Sequence, residues 1–174
     1  MHWLFRHANL LDQPADVLIC SGNPFLNLSG GVGADLLNRY GQPLQDELRS
    51  YLASRKLRYV QPCDVVPTYG GNTPYKVILH AIAIDAFYDS SPVWITATIE
   101  KALTIAAQHE ARSVALAALA TGYGRMSLSD FAAGLKPLLL REFPPLEEVT
   151  LCLQSRDKFD ELQDALQLPA RDAS

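Results

Sequence analysis

Cysteine is scarce in this chain, with three in 174 residues: Cys20, Cys63 and Cys152. They are scattered, odd in number and contain no C-x-x-C pair, which excludes a disulfide framework and a thiolate zinc site. The four histidines (His2, His7, His80, His109) show no metal-ligand spacing such as H-E-x-x-H, so no metal is expected. No apolar run approaches the roughly 20 residues that span a bilayer, and "MHWLFRHANLL" is too short and too mixed for a secretory leader. The expectation is a cytoplasmic protein with no membrane partner. Positive charge is also short: the net charge is −4, and Arg55, Lys56 and Arg58 form the one basic cluster. A nucleic-acid partner, which calls for a basic face, is not expected. Two phosphate motifs are missing as well. There is no G-x-x-x-x-G-K-[ST], and "GGVG" does not complete G-x-G-x-x-G.

What remains is the composition of an ordinary soluble globule, 48% hydrophobic and 20% charged. There is no internal repeat or low-complexity linker, so a single domain is expected over residues 1–168, with a flexible tail at 169–174. "ADVLICS" (15–21) is a continuous apolar run of the kind a strand buried on both faces requires. "CDVVPT" (63–68), "YKVILHAIAID" (75–85), "SVALAALA" (113–120) and "EEVTLCLQS" (147–155) read as further strands, and "HWLFR" adds a sixth. Between them lie helical patterns. "GADLLNRYG" ends at a plausible glycine terminator, Gly41. "PLQDELRSYLASRK" lines up Leu44, Leu48, Tyr51 and Leu52, and the segment from Ser91 lines up Ile95, Ile99, Ala102, Leu103 and Ala106. "SLSDFAAGLKPLLLREF" is helical but carries Pro137, which should bend or split it. "DKFDELQDALQL" closes the series. Alternating strands and helices predict an α/β layered sheet, parallel in its middle, with ligands bound outside the carboxyl ends of the strands.

Two glycine-bearing stretches follow strands. "SGNPFLNLSGGVG" (21–33) runs into a helix, and "TGYGRMS" (121–127) follows the fifth strand. Gly30, Gly31 and Gly33 sit where a helix offers unpaired N–H groups and the positive end of its dipole. Without a Cβ, the backbone there can approach a phosphate closely. Two such loops could close on a diphosphate from opposite sides. That arrangement needs no lysine, which suits an acidic chain. Each loop by itself is equally an ordinary strand-to-helix turn.

Taken in order, "ADVLICSGNPFLNLSGGVGADLLNRYG", "YKVILHAIAID" and "SVALAALATGYG" resemble the signature segments of macro domains, the ADP-ribose-binding modules of Appr-1-p processing type. The resemblance spans roughly residues 10 to 130. It implies a three-layer α/β/α sandwich with a mixed, largely parallel six-stranded sheet, which agrees with the strand and helix reading. It also implies roles. Asp16, with Val17 beside it, matches the acid that accepts a hydrogen bond from the adenine amine. Asn23 lies near the distal ribose. Gly30, Gly31, Val32 and Gly33 surround the distal ribose and diphosphate, and Thr121, Gly122, Tyr123 and Gly124 form the second phosphate loop. Phe159, beyond the last strand, is a candidate to stack on the adenine, as are Phe25 and Tyr69. Read as residues alone, Asp16 caps a strand edge, Asn23 shapes the turn before Pro24, Tyr123 plugs the core edge, and the three aromatics are core.

The chain also departs from the family. Hydrolytic members usually carry Asn at the position of Cys20 and often Asp at that of Gly33. Asp35, about 200° round the helix from Gly33, should face nearly the opposite way. Cys20 is expected to be a buried thiol, and His80 a structural histidine. The expected function is therefore binding of ADP-ribose or a derivative, free or protein-linked, with no cofactor. The second reading is a hydrolase of such a derivative, acting on O-acetyl-ADP-ribose or on a mono-ADP-ribosyl protein, with Asn23 as the polar survivor beside the ribose. A third keeps the fold with another nucleotide.

Overall fold

A computed structural model describes residues 1–70 and 72–167. The expected tail at 169–174 lies outside the described residues. Among the described residues six strands form one mixed sheet: β1 (His2–His7), β2 (Val17–Ser21), β3 (Val65–Thr68), β4 (Val77–Ala81), β5 (Ser113–Ala117) and β6 (Glu148–Leu153). Their order across the sheet is β1-β6-β5-β2-β4-β3, with every pairing parallel except β3 against β4. The central strands are those with unbroken apolar runs. Val17, Leu18, Ile19 and Cys20 of β2 are wholly buried, and every residue of β4 is buried. Helices on both faces leave these strands no solvent side, which is why they do not alternate.

Five α-helices among the described residues supply the outer layers: α1 (Gly31–Tyr40), α2 (Gln42–Ser54), α3 (Pro92–Gln108), α4 (Leu128–Leu135) and α5 (Arg156–Leu166). α1 packs on α2, while α3 packs on α4 and α4 on α5. Together with the sheet these make the α/β/α sandwich. The helical stripes anticipated from the spacing face inward: Leu44 and Leu48 of α2, and Ile95, Ile99, Ala102, Leu103 and Ala106 of α3, are buried. Ser91, Ser127 and Ser155 cap α3, α4 and α5 by accepting from a backbone N–H three residues on. Pro137 does split its segment, since α4 stops at Leu135 and a 3₁₀ turn follows over Lys136–Leu138. β4 is shorter than its apolar run. Its antiparallel neighbour β3 reaches Ala81 at Val65, and Ile82–Ile84 leave the sheet while staying buried.

From β2 the chain builds outward through β3 and β4, then α3 carries it back across to β5 and β6. The loops after β2 and β5 therefore leave adjacent parallel strands in opposite directions. That reversal opens a crevice at the carboxyl edge of the sheet.

Candidate functional site

A cleft of about 650 Å³ occupies that crevice. Its walls are the 21–33 loop with the start of α1, the end of β4, the 117–124 loop, the turn at residues 8–11 before β2, and the junction of β6 with α5. Asn23, Gly30, Gly31, Val32, Gly33, Thr121, Gly122, Tyr123 and Gly124 all line it. The fold thus brings both glycine loops to one place.

Each loop is held by its own chemistry. Asn23 Oδ1 accepts from the N–H groups of Phe25 (3.1 Å) and Asn27 (3.3 Å), and its Nδ2 donates to the Asn27 carbonyl (2.7 Å). Asn23 therefore shapes the turn and lines the cleft at once, with one amide hydrogen to spare. The buried Gln45 of α2 pins the next stretch, accepting from Leu28 N (2.8 Å) and donating to the Leu26 carbonyl (2.9 Å). In the second loop Ala120 takes φ +63°, a left-handed conformation that costs a non-glycine residue energy. Gly124 is then folded back so tightly that a Cβ would overlap the Ala120 carbonyl oxygen. The loops touch through Tyr123, whose ring lies over Gly30: a Cβ on Gly30 would sit 2.8 Å from Tyr123 Cε2. Tyr123 is 74% exposed, so it bridges the rim and does not plug the core.

The backbone donors are the main chemical feature. α1 has Gly30 as its N-cap and no side-chain cap, unlike α3, α4 and α5. Among the described residues, the N–H groups of Gly31, Val32, Gly122, Tyr123 and Gly124 meet no protein acceptor. Val32 and Gly124 are half-buried, while Gly31, Gly122 and Tyr123 are exposed, so the donors stand at the mouth of the cleft, open to water or to a ligand. Two rows of free donors lining one cleft, one of them at a helix N-terminus, have the chemistry to donate hydrogen bonds to an anion and to accept none from a cation.

Three expected site residues lie elsewhere. Asp16 precedes β2 and stands at the opposite, amino end of the sheet. The five residues of β2 separate it from the cleft by about 15 Å at the rise of an extended strand. Its carboxylate accepts from Arg112 N (2.7 Å) and Ser113 N (3.3 Å) and pairs with Lys76 Nζ (3.3 Å). The Arg112 N–H bond is the main cause that holds its pKa below the ordinary carboxylate value. Asp16 thus ties the starts of β2, β4 and β5 together, and the adenine role does not fit its position. Val17 is fully buried in the sheet, paired with Val77 and Val114. Phe159 is buried beside His7, with ring centroids 6.1 Å apart, and is not part of the cleft wall. Phe25, packed on Tyr59, and Tyr69, against His109, are exposed and also outside it.

Asp35 reverses in the other direction. Gly33 is turned inward, where a Cβ would meet the Leu28 backbone at 3.2 Å, so the 200° rotation brings the exposed Asp35 to the cleft's open edge. Residues the sequence did not mark also line the wall, among them Asn9, Tyr88, Gln154 and Lys158.

The two buried thiols and the buried imidazole at or beside the cleft carry no charge near neutral pH. Cys20 is fully buried, and burial pushes its thiol up to about 12. It lies 3.4 Å from His80 Nδ1, while His80 Nε2 lies 3.0 Å from Thr68 Oγ1. Burial lowers His80 to about 4, so the ring is neutral at pH 7. Cys152, in the cleft wall, is raised to about 11 by burial. None of these is a thiolate or a ready base near neutral pH. Among the described residues no group of three or more His, Cys, Asp or Glu side chains could hold a metal, and no helix is long and apolar enough to cross a membrane.

Fold and cleft together define an α/β/α protein with a crevice lined by unpaired backbone donors at the reversal point of its sheet. The macro domain family model matches residues 21–134, and the chain belongs to that family. A macro domain-containing protein of Streptomyces griseus is 26% identical over 162 residues, covering 91% of each chain. Another from Streptomyces nogalater is 29% identical over 172 residues, covering 91% of this chain and 90% of the relative. Among solved structures, the Trypanosoma brucei macrodomain in complex with ADP-ribose superposes with a TM-score of 0.78 at 16% identity, over 95% of this chain and 69% of that one. The Oceanobacillus iheyensis macrodomain with ADP gives 0.74 at 16% identity, over 87% of this chain and 83% of that one.

Proposed function

We propose that this protein is a binding module for ADP-ribose or a derivative of it, free or attached to a protein. The observation that carries the reading is the pair of unpartnered N–H rows, Gly31 and Val32 on one side and Gly122 to Gly124 on the other. A diphosphate fits such a receptor because each oxygen accepts from backbone donors that are already in place, with little reorganisation on binding. The cleft volume lies within the usual range for small-ligand sites, about 300–1,000 Å³. The trypanosomal macrodomain is solved in complex with ADP-ribose, and the shared fold supports the same ligand class here. The nucleoside end would reach toward Asn9 and Gln154 and not toward Asp16. The distal ribose would lie by Asn23 and Tyr123.

Binding is favoured over hydrolysis by the state of the side chains. His80 is neutral and engaged on both nitrogens, Cys20 is a buried thiol, and Asn23 spends its carbonyl oxygen on the loop. Among the described residues Asp35 is the one carboxylate in the wall, and it lies at the open edge.

Calorimetric titration with ADP-ribose tests the reading, using Gly122→Val as the variant. A Cβ at Gly122 meets nothing within 4 Å, so the fold tolerates it while the added bulk crowds the donor row. Saturable binding that the variant weakens at least tenfold, about 1.4 kcal/mol, is expected. Absence of saturation at millimolar ADP-ribose would end the proposal.

A further inference from the structure

One wall residue stands apart from the backbone donors. Among the described residues, Lys158 is the only Lys or Arg lining the cleft. Its ammonium donates to the Thr121 carbonyl at 2.8 Å, at the start of the second phosphate loop. Among the described residues no carboxylate lies within salt-bridge distance of it, although nine other ion pairs form across the surface. An ammonium has three N–H donors, so two remain available. The placement is also electrostatically uphill. Lys158 is the third residue of α5, within the first turn, where the helix dipole disfavours a cation. An exposed positive charge with no carboxylate partner among the described residues is therefore held at the positive end of a helix, at the edge of a cleft, in a chain of net charge −4.

We propose that Lys158 is a specificity-determining residue of the cleft, binding a phosphate of a nucleoside diphosphate ligand and making the site select for ligand charge. The proposal rests on the ADP-ribose reading for the ligand class but not for the charge. Lys158 does two things at once. One donor fixes the 121–124 loop from its carbonyl side, leaving that loop's N–H groups facing the ligand. The other donors meet the phosphate oxygens directly. The expectation that no lysine is required is thereby revised: the backbone shapes the receptor and one lysine supplies its charge.

The test compares wild type, Lys158→Gln and Lys158→Arg. Glutamine keeps a donor for the Thr121 carbonyl but loses the charge, and arginine keeps the charge. Each is titrated calorimetrically with ADP-ribose at about 0.05 and about 0.5 M salt, where screening lengths differ roughly threefold. Inorganic pyrophosphate is titrated separately, followed by amide chemical shifts. The glutamine variant is expected to bind ADP-ribose about tenfold more weakly at low salt, with the deficit shrinking at high salt, as charge-assisted hydrogen bonds of ordinary strength predict. The arginine variant should stay within a few-fold of wild type. Equal affinity and equal salt dependence for wild type and Lys158→Gln would overturn the proposal and leave the ADP-ribose reading standing. A deficit of the same size at both salts would also overturn it, reducing Lys158 to a tether of the loop. If ADP-ribose fails to bind while pyrophosphate shifts the 122–124 amides only when residue 158 is cationic, Lys158 keeps its role and the ADP-ribose reading falls. If neither ligand binds the wild type, both fall.

Discussion

Replacing Asp16 with alanine should destabilise the fold and leave ligand affinity alone. The substitution removes one carboxylate that accepts two backbone N–H groups and pairs with Lys76. Hydrogen bonds to a charged acceptor contribute about 1.5–3 kcal/mol each when shielded from water. The Asp16 side chain is 28% exposed, so water can recover part of what is lost, and the Lys76 pair adds little. A net cost of about 2 kcal/mol follows. For a chain of this length that lowers the melting midpoint by about 4–8 °C. The pH dependence fixes the cause. The folded-state pKa of Asp16 is depressed, so its contribution is complete above the unfolded value near 4 and is lost as pH falls through the folded value. Chemical denaturation at about pH 7 should show the full deficit, shrinking below about pH 4. Calorimetry with ADP-ribose should give the wild-type affinity within about twofold, since the strand places Asp16 about 15 Å from the cleft. A variant with unchanged stability and at least tenfold weaker binding would refute this placement and restore the adenine role.

Further expectations concern other residues. Phe159→Ala should cost about 3 kcal/mol, the low end for a buried phenylalanine, while affinity measured on the folded protein is unchanged. Gly124→Ala forces a Cβ onto the Ala120 carbonyl and should both lower the midpoint and abolish binding, whereas Gly30→Ala strikes only the movable Tyr123 ring and should leave the midpoint within about 2 °C. Because the displaced ring crowds the donor row, Gly30→Ala should also weaken ADP-ribose binding, and part of that loss should be regained in the double variant with Tyr123→Ala, a coupling that a double-mutant cycle measures. His80 is buried and neutral, with its folded-state pKa lowered to about 4. Its contribution is complete above the unfolded value near 6.5 and declines as pH falls toward 4, by up to about 3 kcal/mol in total. Denaturation midpoints from about pH 7 to about pH 4 should show this slope in wild type and lose most of it in His80→Gln.

The sheet and helices were legible because burial writes itself into composition. β2 and β4 are unbroken apolar runs since both faces are covered, and the α3 stripe follows the helical period because only one side of that helix is covered. The glycine loops were legible because close backbone approach leaves few other residue choices. The place of Asp16 was not legible, because a motif match does not say which end of the strand a residue occupies. In a parallel sheet the ligand sits beyond the carboxyl ends, and a residue that precedes its strand stands at the amino end. The place of Asp35 was hidden for a related reason: helix rotation relates it to Gly33, and the sequence does not show that Gly33 faces Leu28 and not the cleft. Gln45 and Lys158 carried no local signal. One acts from a neighbouring helix on a loop 17 residues away in sequence, and the other reaches 37 residues back to Thr121.

The most direct test of the backbone-donor receptor is an amide-resolved titration of the labelled protein with ADP-ribose. Saturable shifts are expected, largest at the N–H groups of Gly31, Val32, Gly122, Tyr123 and Gly124, with Asp16, Arg112 and Ser113 unmoved. Shifts centred on the amino end of the sheet, or none at saturating millimolar ligand, would contradict it.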